Sequence, residues 1–158
     1  MALFDARESQ PVTGMTVNGN GEEVIRLVGR QISCGVATGK ALVLESDLSF
    51  LGGVDPETGR IKDKGTGAFN RTVRNRVLVF PKGKGSTVGS YVIYGLQANG
   101  KAPAAIVNAQ TETIVATGAI LSKIPLVDDV DITVIRTGDR VTVDGDVGQV
   151  IVHRKESD

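Results

Sequence analysis

Val77-Leu78-Val79-Phe80-Pro81-Lys82-Gly83-Lys84-Gly85-Ser86-Thr87-Val88-Gly89-Ser90 is the stretch on which the fold turns. Its first four residues form a continuous apolar run, the mark of a strand buried on both faces. A glycine-rich loop follows, and Ser86 or Thr87 is placed to cap a helix running to about Asn99. Val88, Val92 and Leu96 recur at four-residue spacing and predict one apolar stripe along it. Gly100 is a natural stop, with Pro103 beyond. Ala104-Ala105-Ile106-Val107 reads as a second buried strand. Thr111 or Thr113 can cap a second helix through Ile114, Val115, Gly118 and Leu121, and Pro125-Leu126-Val127 reads as a third strand. Residues 77–127 therefore predict β-α-β-α-β, parallel strands joined by crossover helices.

On both sides of that block the pattern is β. Val24-Ile25-Arg26-Leu27-Val28 is one predicted strand, and Gly35 to Leu44 a turn and another. Phe50 to Gly59 carries Asp-Pro and glycine signals and reads as a loop. Asp55 and Glu57 are turn residues there, with cation binding as the alternative. Residues 62–76 form a polar connection bearing Lys62, Lys64, Arg71, Arg74 and Arg76, a solvated surface or a contact for substrate or partner. After residue 127, Ile132–Ile135, Arg140–Val143 and Gln149–Val152 read as strands, separated by Thr137-Gly138-Asp139 and Asp144-Gly145-Asp146 turns. Residues 1–21 are Gly/Asn-rich and without period, a mobile N-terminal arm. Residues 22–153 make a single α/β domain, and 154–158 a fraying C-terminal tail. Cys34 is expected to be a small packed side chain.

The scarce residues narrow the chemistry. A chain of 158 residues and 16.6 kDa suits one domain, and 41% apolar with 23% charged residues is a globular balance. Lys and Arg number 18, as do Asp and Glu, so the net charge is zero. Such a chain has no general attraction for nucleic acid or an anionic membrane, although a local patch remains open. No apolar run approaches the roughly 18 residues of a membrane span, and no secretory signal is visible. With Cys34 as sole cysteine no internal disulfide can form, and a reducing, cytoplasmic setting is expected. One cysteine and one histidine, His153, cannot make a Cys/His zinc site or ligate an iron–sulfur cluster. A Ser-His-Asp triad would need His153, beside the tail. Catalysis therefore calls for an unusual base, or for a second chain.

Ser86 is the candidate. A strand feeds a tight glycine loop, and a helix begins at the hydroxyl residues. Backbone N–H groups and the positive dipole end there can bind an anion, or stabilise negative charge on Ser86 itself. Lys82 and Lys84 add positive charge. The motif is not a phosphate-binding Walker loop, because Gly85 separates Lys84 from Ser86. The plain alternative is that Ser86 only caps the helix, worth about 1 kcal/mol. Asn108, ending a buried strand, can face a site at the carboxyl edge of the sheet or serve an ordinary turn.

Four segments carry a resemblance: Phe50-Leu51-Gly52-Gly53-Val54-Asp55-Pro56-Glu57-Thr58-Gly59; Lys82 through Tyr94; Asn99-Gly100-Lys101-Ala102-Pro103-Ala104-Ala105-Ile106-Val107; and Glu112-Thr113-Ile114-Val115-Ala116-Thr117-Gly118-Ala119-Ile120. In this order they are similar to the small subunit of the aconitase X family, over roughly residues 24–152. The resemblance implies a swivelling β/β/α domain, the counterpart of the mobile fourth domain of aconitase. There a Gly-Ser-Ser-Arg stretch presents a catalytic serine. Gly85-Ser86-Thr87 matches its first part and puts Ser86 on the catalytic position, while Val88 stands where the arginine would be, which fits a different substrate. The resemblance also implies a 4Fe–4S cluster held by cysteines of a separate large subunit and not by this chain. The implied reaction is dehydration of (R)-mevalonate 5-phosphate to trans-anhydromevalonate 5-phosphate in archaeal isoprenoid synthesis. Ser86 is then the base, with Lys82, Lys84, Gly85, Thr87 and Arg71 as substrate-binding positions, one of the cationic ones meeting the phosphate. Three alternatives stand beside it. One is a related hydro-lyase acting on cis-3-hydroxyproline, and another is a partner subunit without a catalytic role. The third, a swivelling phosphohistidine carrier, needs a histidine in a glycine-rich context that His153 lacks.

Overall fold

Strand β5 (Val77–Phe80) is buried along its whole length, and its side chains divide between two cores. Val77 and Val79 enter one, Leu78 and Phe80 the other. This follows from the two-residue period of a strand covered on both faces. Its neighbours β6 (Ala105–Asn108) and β7 (Leu126–Asp128) behave alike. Ala105, Val107 and Val127 join the first core, Ile106 and Leu126 the second.

The computed structural model describes residues 12–155. In chain order the remaining strands are β1 (Val12–Val17), β2 (Glu22–Val28), β3 (Arg30–Ser33), β4 (Val36–Val43), β8 (Arg140–Asp144) and β9 (Gln149–Lys155). The helices are α1 (Phe50–Gly53), a single kinked turn, then α2 (Gly89–Ala98) and α3 (Thr113–Ser122). The nine strands are ordered β1-β2-β9-β8-β4-β5-β6-β7-β3. From β1 to β4 neighbours run antiparallel, and from β4 to β7 they run parallel. Strand β3 closes the far edge antiparallel to β7.

Strand β4 belongs to both halves. Val36–Lys40 pair with β8, and Ala41–Val43 pair with β5. The sheet folds at that point into two stacked layers. Ile25, Leu27, Val141, Val143, Val150 and Val152 of the antiparallel half pack on one face of the parallel half. Ile93 and Leu96 of α2, with Val115 and Ala119 of α3, cover its other face. The result is the β/β/α layering that the resemblance implies.

Several local expectations need correction. The arm expected over residues 1–21 contains β1, paired with β2 from Val12 to Val17; the uncharged Val12–Val17 run is strand-forming, and Asn18 closes the turn by accepting from Glu22 N–H. Residues 1–11 lie outside the described residues. The tail expected from residue 154 is corrected at its start, because Arg154 and Lys155 continue β9 opposite Glu23 and Glu22; residues 156–158 lie outside the described residues. Ile132–Val134 form a 3₁₀ turn, not a strand: Asp131 accepts from the Thr133 N–H at 3.0 Å and starts the turn. Cys34 is exposed, not packed. Helix α2 starts at Gly89 with Val88 as its N-cap, and its buried face is Gly89, Ile93 and Leu96. Of the expected stripe, Leu96 is buried and Val92 packs partly against the core, while Val88 is 42% exposed. Helix α3 is capped by Glu112, whose carboxylate accepts from the N–H groups of Ile114 and Val115, both at 2.8 Å. Neither Thr111 nor Thr113 does this.

Candidate active site

Strand β5 ends at Phe80 and passes into the loop Pro81–Val88, which is fixed from three directions. Behind it, the buried Asn108 donates from Nδ2 to the Phe80 carbonyl at 3.0 Å and accepts from the Thr111 hydroxyl at 3.2 Å. Asn108 is thus a brace between the ends of β5 and β6. To one side, Leu48 N–H donates to the Lys82 carbonyl at 3.1 Å and Lys84 N–H to the Leu48 carbonyl at 3.0 Å. To the other side lies the start of α3. A Cβ on Gly83 would overlap Glu112 Oε1 and Val115 Cγ2 there, so only glycine fits. Gly85 has φ +91°, and a Cβ on it would overlap the Ser49 hydroxyl.

This frame holds Ser86 exposed to solvent. Its Oγ accepts from the Val88 N–H at 3.2 Å. The N–H groups of Gly89, Ser90 and Tyr91 do not point outward, because they donate to the carbonyls of Ser86, Thr87 and Val88 in a tight turn. The expectation of a free helix start is corrected by one turn. The N–H groups of Gly85, Ser86 and Thr87, in the loop itself, have no acceptor among the described residues. They and the Val88 N–H are the groups that can face negative charge at this point.

Lys82, Lys84, Gly85, Ser86 and Thr87 are therefore brought together, all exposed on one loop. Arg71 is not. Its backbone is tied to Ile61 and Ala68, and its charge bears on Arg76, at the opposite end of β5 from Ser86. Arg76 is no solvated residue either. It donates from Nε to the Lys40 carbonyl at 3.0 Å and from Nη2 to that of Ala41 at 2.8 Å, and partial burial, then the Arg71 charge, lowers its pKa. Asp55 serves its turn, accepting from the Glu57 N–H at 2.9 Å, a bond that leads the lowering of its pKa. His153 sits on β9, with Nδ1 3.2 Å from Glu22 Oε1.

Next to Ser86, an open cleft of about 350 Å³ runs between the N-terminal ends of α2 and α3. Thr87, Val88, Ser90, Tyr91, Thr113 and Ile114 line it, hydroxyl groups alternating with apolar surface. Glu112 is the site residue that sequence reasoning missed. It caps α3 and abuts Gly83, and its signal was an acid immediately before an apolar helical run. Among the described residues no three His, Cys, Asp or Glu side chains are grouped to hold a metal ion. With one cysteine in the chain, the donor set here does not fit an iron–sulfur cluster.

Comparison with known proteins follows the same geometry. The family model described as the aconitase X swivel domain matches residues 26–152. The phosphomevalonate dehydratase small subunit of Thermococcus kodakarensis is 54% identical over 126 residues, covering 80% of this chain and 95% of the relative. Its counterpart in Methanocaldococcus jannaschii is 52% identical over 131 residues, 83% of this chain and 100% of the relative. The crystal structure of Thermococcus kodakaraensis aconitase X in its holo-form superposes with TM-score 0.79 at 54% identity, over 80% of this chain and 97% of that one. A solution structure of a UPF0107 protein gives 0.73 at 49% identity, over 79% of this chain and 96% of that one.

Proposed function

Because the chain belongs to the aconitase X swivel-domain family, we propose that it is the small subunit of a phosphomevalonate dehydratase, a cytoplasmic hydro-lyase of two chains. The substrate is (R)-mevalonate 5-phosphate and the product trans-anhydromevalonate 5-phosphate, formed in archaeal isoprenoid synthesis. About half of the aligned residues are shared with relatives of that name, over nearly the whole length of those relatives, which supports the assignment of reaction and partner. No described helix is long and apolar enough to cross a membrane.

The work of this chain is proton abstraction. Ser86 Oγ takes the proton next to the substrate carboxylate, and the hydroxyl leaves from the neighbouring carbon. A serine is a weak base near neutral pH, so its alkoxide needs donors. The Val88 N–H is already at 3.2 Å from Oγ, and Lys82 and Lys84 bring positive charge to the same loop. The observation that carries the role is this one: an exposed hydroxyl on a loop held on three sides. Lys82 or Lys84 meets the substrate phosphate; Arg71, remote from the loop in this conformation, does so only if the substrate reaches across. Gly85 and Thr87 supply N–H donors to the bound anion. A 4Fe–4S cluster held by the large subunit would supply Lewis acidity toward the departing hydroxyl.

Ser86→Ala is the direct test, in the enzyme reconstituted with its large subunit. Complex assembly, iron and sulfide content are expected unchanged, and turnover to fall by about 10²-fold or more. Near-normal turnover would remove Ser86 from the mechanism and make this a partner subunit without a catalytic role. Turnover of cis-3-hydroxyproline in place of the phosphorylated acid would overturn the substrate. The isolated chain is expected to be inactive.

A further inference from the structure

The solvent face of the antiparallel half carries a row of basic side chains, Lys40, Arg140 and Lys155, with Glu22 opposite Lys155 as the one acid paired with a member of the row among the described residues. Lys40 on β4 is paired with Arg140 on β8, and Arg140 with His153 on β9. Paired positions share a face, and like charges directly opposite one another destabilise a sheet. Lys155 lies two residues past His153, on the same face of β9. The nearby acids are already engaged. Asp139 accepts from Arg154 Nε at 3.0 Å, from Arg154 Nη2 at 2.6 Å and from the Arg136 N–H at 2.8 Å. Glu22 Oε1 lies 3.2 Å from His153 Nδ1 and accepts from Asn18 Nδ2 at 3.1 Å. Lys40, Arg140 and Lys155 have no side-chain hydrogen bond or ion pair among the described residues. Together these groups line one cavity of about 560 Å³. The chain as a whole is neutral, so the concentration of charge here is local and not compositional.

We propose that this cavity binds a small anion with two or three linked phosphoryl groups. Adjacent strands lie about 4.8 Å apart, so Lys40, Arg140 and His153 offer donors across roughly 10 Å. One phosphate cannot reach all three, and a di- or triphosphate can. Arg140, in the middle, presents a planar fork for bidentate contact, with Lys40 and Lys155 as point charges on either side. The volume is that of a small-molecule site. The bound anion relieves the repulsion in the row, so it also stabilises the fold. The site is separate from Ser86, which lies beyond the carboxyl end of β5 in the parallel half.

The experiment is calorimetric titration and thermal melting of the full chain, alone and in complex with its large subunit. The probes are pyrophosphate, tripolyphosphate, orthophosphate and sulfate. Pyrophosphate is expected to bind about tenfold or more tighter than orthophosphate and to raise the melting temperature. Arg140→Gln and Lys40→Gln should each weaken it about tenfold. Without ligand, both variants should melt no lower than the wild-type chain, which shows that they fold. Arg74→Gln should bind as the wild type does. Equal affinity for orthophosphate and pyrophosphate would mark a mere surface charge effect and overturn the proposal. So would undiminished binding by Arg140→Gln. Loss of binding in the complex would also overturn it, because the row would then be an acidic partner's contact.

Discussion

Ser86 owes its position to two glycines and a carboxylate. Gly83 has Glu112 and Val115 directly against the place where a side chain would start, and Gly85 combines a left-handed φ with the Ser49 hydroxyl at close quarters. Gly83→Ala should therefore push the loop from α3. A loss of about 1–3 kcal/mol is expected for a forced overlap of this kind, and turnover should fall with it, by about tenfold or more. Denaturant melts and kcat of the reconstituted enzyme check both; unchanged kcat would mean the loop tolerates the shift. At this scale the make-up of the loop was legible. The alternation of Gly, Lys and hydroxyl residues marks a loop with charge and donors, and Lys82 to Thr87 do lie together. Arg71 was not legible, since a long side chain on a distant loop is placed by packing and not by sequence neighbours. Val88 misled for a related reason. It fits a helical spacing, but the turn before Gly89 rotates it outward, to the rim of the cleft.

Among the elements, α3 is the one whose start matters most to the loop. The N–H groups of Ile114 and Val115 in its first turn are both satisfied by the Glu112 carboxylate. Glu112→Ala should cost roughly 1–2 kcal/mol through the lost cap, with a fall of about 2–8 °C in melting temperature. It also opens space beside Gly83, so the Gly83→Ala variant should be less damaging in a Glu112→Ala background. A double-mutant cycle measures that coupling, and strict additivity would argue against contact between them. The buried strands were readable because apolar runs such as Leu78–Phe80 and Ile106–Val107 can only sit between two covered faces. Strand β3, Arg30-Gln31-Ile32-Ser33, has no such run. Its pairing with β7 is written in backbone bonds and in Arg30 gripping Asp128 through Nε at 2.9 Å and Nη2 at 2.8 Å. The Glu112 cap escaped because Ser, Thr, Asp and Asn are the usual caps, and threonines flank it on both sides.

The whole molecule is tied at its open end by a polar knot as well as by its two cores. Asp139 is 7% exposed, and Arg154 reaches it through two nitrogens while also meeting Glu23 at 3.1 Å. The hydrogen bond to Asp139 leads the causes that raise the Arg154 pKa. Asp139→Asn should leave that guanidinium poorly matched and cost roughly 3 kcal/mol. The loss should appear in one cooperative transition, with near- and far-ultraviolet dichroism melting together. Two separated transitions would show that the antiparallel half unfolds by itself, against the proposal of a single domain over residues 22–153. At this scale the order of strands and helices made the central β-α-β-α-β block legible, and the β/β/α layering was what the family resemblance implied. The bonds that close β9 onto β2 and the 136–139 turn were not, because charged residues near a chain end give no periodic signal.

Strand β4 has a consequence for motion. Its backbone passes uninterrupted from one sheet into the other, so nothing between the layers can act as a joint. If this subunit swings toward a partner's metal, both layers and the serine loop must travel as one block. The pivot then belongs to the contacts between the chains, and stiffening this chain internally would leave the swing untouched.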